Sequence, residues 1–94
     1  MSLKGKQESE TIGGVKFTFQ HPGIEEVLDL KDRARNEAGQ VSDKEIAKEL
    51  FEHVIFAEID GTMQKVNFAF FEDRFGSMKE YKEVIKAASK FLFR

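Results

Sequence analysis

The chain has 94 residues, 40% of them apolar and 34% charged, with a formal net charge of −2, ten phenylalanines and no cysteine. One small domain, residues 1–94, is the expected organisation, because a chain of this length buries a single core. The charge gives no global attraction to nucleic acid or to an anionic membrane, disulfide and thiol chemistry are excluded, and no apolar run approaches the ~20 residues of a membrane span.

Residues 1–7 are polar and expected to be disordered; they lack the apolar core of a signal peptide, which implies a cytoplasmic chain. Two extended runs, Glu8 to Ile12 and Val15 to Gln20, flank Gly13-Gly14, a pair suited to a tight hairpin turn with positive φ. That register sets Ile12 opposite Val15 and Glu10 opposite Phe17. The second run then carries the apolar face (Val15, Phe17, Phe19) and the first is a charged edge. A lone hairpin is marginal in water, so this face must pack on helices.

Pro22 opens a first helix, where its missing N–H costs nothing, and Gly39 stops it. At 100° per residue Ile24, Val27, Leu28, Leu30, Ala34 and Ala38 share one broad sector, with Glu25, Glu26, Asp29 and Asp32 opposite. Lys31 and Arg35 fall inside the apolar sector, so they either snorkel past the core edge on their aliphatic stems or face a partner. Ser42-Asp43-Lys44-Glu45 reads as a capping box opening a second helix, whose Ile46, Ala47, Leu50, Phe51 and Val54 share a face. That helix either runs on to Phe56 or ends before a hairpin around Asp60-Gly61, and the hairpin or an irregular segment is preferred. Ser77 to Glu80 forms another capping box, followed by Met78, Tyr81, Val84, Ile85, Ala88, Phe91 and Leu92 at helical spacing. Lys79, Lys82, Lys86 and Lys90 line the other side of this last helix, and Phe93 projects into the lysine sector. The expected fold is therefore α+β: an N-terminal hairpin packed on about three helices, with a second short hairpin near residues 55–68.

Glu49 and His53, four apart, make an exposed helical pair and too few ligands for a metal. His21 stands beside Pro22 with no serine or cysteine nucleophile arranged around it, and reads as a residue of the helix start. The Glu-x-Asp-Gly of residues 58–61 resembles a calcium loop, but Phe56 and Asn67 then fall where carboxylates belong. The lysines of the last helix interleave with Glu80 and Glu83, so a solvated face comes first, an acidic protein partner second and nucleic acid third. No cofactor or metal is implied, and a non-catalytic binding role is expected. The cluster Phe68, Phe70, Phe71 and Phe75 is assigned first to the core, with an exposed contact patch as the alternative. Lys31, Arg35, Phe68, Phe70, Phe71 and Phe93 are the candidate partner-binding residues.

One set of phrases carries a resemblance. Phe19-Gln20-His21-Pro22-Gly23 ends the extended opening, and a helix with an internal basic residue (Lys31 or Arg33) follows. His53-Val54-Ile55, Asn67-Phe68-Ala69-Phe70-Phe71 and a closing amphipathic helix ending Phe91-Leu92 complete the order. In that order and length the chain resembles the small tail assembly chaperones of long-tailed bacteriophages and prophages. The resemblance implies binding of the tape measure protein, presentation of that protein to the major tail tube protein, and self-association into dimers or larger arrays. It also implies residence in the cytoplasm of the bacterial host during assembly, absence from the finished virion, and a longer form made by ribosomal frameshifting. The alternatives are a small prophage-encoded regulatory or antitoxin-like dimer, which needs a basic reading element not visible here, and a small enzyme using carboxylates of the first helix.

Overall fold

The computed structural model describes residues 2–93. In chain order the elements are β1 (Gln7–Ile12), β2 (Val15–Gln20), α1 (Ile24–Arg33), α2 (Asp43–His53), β3 (Ile55–Ile59), β4 (Thr62–Lys65), α3 (Phe68–Phe75) and α4 (Met78–Leu92). The architecture is α+β, and both expected hairpins are present. They join through β2 and β3 into one antiparallel sheet of order β1-β2-β3-β4.

Each hairpin turn is set by its two central residues. Gly13 and Gly14 have φ of 59° and 79°, and Asp60 and Gly61 have φ of 52° and 77°, the paired positive values of a turn whose twist matches the strands. Ile12 faces Val15 and Glu10 faces Phe17, as the sequence implies. On the inner side of the sheet Phe17 pairs with Ala57 and Phe19 with Ile55, all four buried. The outer side carries polar cross-strand pairs beside Phe56 and Met63: Lys16 Nζ lies 3.3 Å from Glu58, and the Ser9 and Thr18 hydroxyls are 3.0 Å apart. Such cross-strand pairs favour one register.

Several boundaries differ from the sequence reading. α1 begins at Ile24, with Gly23 as its N-cap, and ends at Arg33, five residues before Ala38. The Asn36 side chain causes the early stop by accepting from the N–H groups of Ala38 and Gln40, offering the backbone an alternative to the helical ladder. α2 stops at His53 because the next residues join the sheet: the Gln20 N–H donates to the Val54 carbonyl, and Ile55 enters β3. Ser42 caps α2 by accepting from the Glu45 N–H, but the reciprocal half of the box is not formed, since the Ser42 N–H donates to the Ala34 carbonyl. Residues 67–75, read from the sequence only as an aromatic cluster, form a fourth helix, α3, capped by the Asn67 side chain on the Phe70 N–H and closed by left-handed Gly76. The opening is tied down where fraying is expected: the Gly5 N–H donates to the His21 carbonyl, the His21 N–H donates to the Lys6 carbonyl, and Gln7 already pairs with Gln20. Met1 lies outside the described residues.

Helices α2, α3 and α4 supply the other half of the core: Leu50 and Phe51, Phe71, and Val84, Ala88, Phe91 and Leu92 are all buried against the sheet face. Gly13 brings the first turn onto the α3–α4 junction. A Cβ there would stand 2.6 Å from Phe75 Cε1 and 3.0 Å from Glu80 Cγ, so only glycine fits this approach. Among the described residues no helix is long and apolar enough to cross a membrane.

Candidate interaction surface

The aromatic residues divide by burial. Phe71 is the hub of the core: it stacks on Phe17 at 5.9 Å and on Phe51 at 5.8 Å, and meets the edge of Tyr81 at 5.7 Å. These centroid separations and angles are those at which aromatic pairs attract beyond simple area burial. Phe71 is only 3% exposed, so it meets no partner in the folded chain, and that part of the sequence expectation is corrected. Phe70 and Phe68 are half-buried, Phe70 edge-on to Phe17 at 6.2 Å and Phe68 edge-on to Phe51 at 5.1 Å. They belong mainly to the core and present one rim each.

The outward apolar surface lies on α1. Its expected apolar sector runs from Leu30 round to Leu28, about 160° at the helical angle per residue, wider than a small core covers. The structure splits it. Val27 and Leu30, with Ala34 just beyond the helix, are buried, whereas Ile24 is 64% and Leu28 58% exposed. The two exposed residues form one stripe with Lys31, which shares the half of the sector that never enters the core; Arg35 lies past the end of α1, in an isolated bridge to Val41, so the helical sector does not place it. Lys31 Nζ sits 4.9 Å from the centre of the Phe93 ring, a cation–π contact, and Phe93 itself is 52% exposed. Arg35 Nη1 donates to the Gly39 carbonyl at 2.8 Å, and its Nη2 lies 3.8 Å from Asp32. Both cations are therefore held by their own chain, and the apolar groups exposed beside them are Ile24, Leu28 and the outer part of Phe93. Their exposure escapes a reading by residue type; the only advance signal is the excessive width of the apolar sector.

The titratable residues gather elsewhere. Arg33 ties α1 to α2: it binds Glu26 and donates from Nε to Glu49 at 2.8 Å, with His53 Nε2 3.4 Å from its Nη2. The Arg33 hydrogen bond holds the Glu26 carboxyl below its ordinary value, and the two carboxylates push the guanidinium upward. Glu49 and His53 are thus half of a cluster whose centre is filled by a guanidinium. Among the described residues no group of three or more histidine, aspartate or glutamate side chains is placed to hold a metal. His21 is buried; its Nδ1 accepts from the Gly23 N–H at 3.0 Å, and its ring meets Phe91 at 5.8 Å. That bond spends one ring nitrogen on fixing the start of α1, where Gly23 carries a φ of 102°. An open hollow of about 670 Å³ lies beside it, bordered by Glu25, Glu26, Asp29 and Glu52.

A second apolar region is concave. Between α2, α3 and α4, adjoining hollows of about 600 and 180 Å³ share Phe68, Met78 and Tyr81. Burial pushes the Tyr81 phenol upward, with Asp43 adding to the effect. No family model, curated protein or solved structure matches the chain.

Proposed function

We propose that the protein is a non-catalytic tail assembly chaperone of a long-tailed phage or prophage. It binds the tape measure protein and keeps it soluble and competent for tail tube polymerisation. The observation that carries this reading is the surface of Ile24, Leu28 and Phe93, each more than half exposed on a chain of this size. Large apolar groups that could have been polar cost solubility unless they are covered by another molecule. A tape measure protein is a long, largely helical client whose apolar stripes need such cover, and the charged residues around the patch keep the chaperone itself dispersed.

The ordered phrases of the sequence support the same reading. Phe19 to Gly23 spans the end of β2 and the link to the Gly23 N-cap of α1, and Asn67 to Phe71 forms the capped start of α3. On this reading the protein acts in the host cytoplasm during assembly, meets the major tail tube protein through its client, and is left out of the virion. Co-expression with the tape measure protein encoded beside it tests the proposal. The long protein is expected to move into the soluble fraction and to co-purify with this chain. Equal solubility with and without the chain, and no co-purification, would overturn it.

A further inference from the structure

The groove between α2, α3 and α4 is apolar along its floor and mainly basic along its rim. Ile46, Phe68, Met78, Tyr81 and Ile85 form the floor, and Met78 is 59% exposed there. Lys44, Lys82 and Lys86 border it, against Asp43 in the larger hollow and Glu72 in the smaller one. Asp43 stands in the first turn of α2, where the helix dipole offsets its charge. Among the described residues none of the three lysines has an ion pair within 4 Å, although Lys48, on the same helix as Lys44, pairs with Glu45 at 3.4 Å. The Tyr81 hydroxyl likewise has no hydrogen-bond partner among the described residues. Burial pushes this phenol upward, so it stays protonated and able to donate.

We propose that the groove is the docking site for an amphipathic helix of a partner protein, one whose apolar stripe is flanked by aspartates or glutamates. Apolar side chains of that helix fill the two hollows, and its carboxylates meet Lys82 and Lys86, one turn apart on α4. The α4 wall from Met78 to Ser89 spans about 16 Å, enough for three turns of the incoming helix. The unbranched Met78 thioether adapts to the side chains laid on it. The charges select as well as attract: a helix with the same apolar stripe and basic flanks is repelled by the lysine rim. The small area and the exposed charges make the contact weak and sensitive to salt. None of Ile24, Leu28 and Phe93 lines the groove, so this surface is additional to the one that carries the chaperone reading, and its occupancy does not depend on that reading.

Tyr81 is the only tyrosine and the chain has no tryptophan, so its fluorescence reports on the groove floor directly. Three synthetic peptides of about 14 residues, long enough to span the α4 wall, are titrated into the full chain at low salt. Two share a leucine stripe, flanked by glutamates in one and by lysines in the other; the third keeps the glutamates but has serines for leucines, and none contains tyrosine or tryptophan. The acidic leucine peptide is expected to change Tyr81 emission, to gain helicity by circular dichroism, and to bind about tenfold or more tighter than the basic one. The serine peptide is expected not to bind. Lys82→Glu/Lys86→Glu, at exposed positions, is expected to lose the acidic peptide and take the basic one, and Lys44→Glu to shift the preference the same way by less. The proposal is overturned by equal binding of the acidic and basic peptides, by binding of neither, or by acidic binding that survives the charge reversals or the loss of the leucines. Tyr81 emission that changes with protein concentration alone would place a second copy in the groove and overturn it too.

Discussion

Phe71 and Phe93 are the same residue type with opposite fates. The first is 3% exposed at the meeting point of Phe17, Phe51 and Tyr81; the second is 52% exposed beneath the Lys31 ammonium. The difference lies in what surrounds the ring. Phe71 sits on the one face of α3 that meets both the sheet and α4. Phe93 stands as the C-cap of α4, past the last turn that the sheet can cover. The phenylalanines of this chain thus fall into a buried set and an exposed one, and substitutions should separate them.

The largest separation is expected at the hub. Phe71→Ala removes the ring on which Phe17, Phe51 and Tyr81 pack and should cost ~3–5 kcal/mol in urea unfolding, a large share of the ~5–15 kcal/mol that holds a small domain together. Gly13→Ala comes next. It forces a side chain into positive φ and against Phe75, and should cost ~1–3 kcal/mol by the same measurement. Phe93→Ser should change stability by no more than ~0.5 kcal/mol, as surface substitutions do, while lowering recovery of the tape measure protein in co-purification. If Phe93→Ser destabilises as much as Phe71→Ala, the division between core and presented surface is wrong.

The smallest effect concerns the tie between α1 and α2. Glu26 titrates below its ordinary value of 4.5 because Arg33 bonds the ionised form. A lowered folded value means that this tie contributes fully above pH 4.5 and is lost as pH falls through the folded value. Arg33→Met should therefore lower Tm slightly at neutral pH and flatten its fall on acidification below pH 4.5. A variant that loses the same Tm at every pH would show that Arg33 acts through packing alone.

Much of this arrangement is legible in the sequence where the signal is local. Gly13-Gly14 between alternating runs gives the first hairpin and its register, and Asp60-Gly61 marks the second. The pairing of β2 with β3 is not legible, because Thr18 and Phe56 are brought together by tertiary packing that no local period encodes. α3 goes unread because its four phenylalanines draw attention as composition, although Asn67 and Gly76 frame it as caps. At the surface, Lys31 stands out in the sequence as a cation in an apolar sector, whereas Arg35 falls past the end of the helix that the sector assumes. The exposure of Ile24 and Leu28 does not stand out, since hydrophobicity alone says nothing about which half of a wide sector meets the core.

A docking role for the outer stripe of α1 and Phe93 is open to a single binding measurement. Wild-type chain and an Ile24→Ser/Leu28→Ser/Phe93→Ser variant, matched for fold and Tm, are each co-purified with the tape measure protein. The account predicts that the wild type retains the long protein and the variant loses most of it. Equal retention by both proteins would contradict the account.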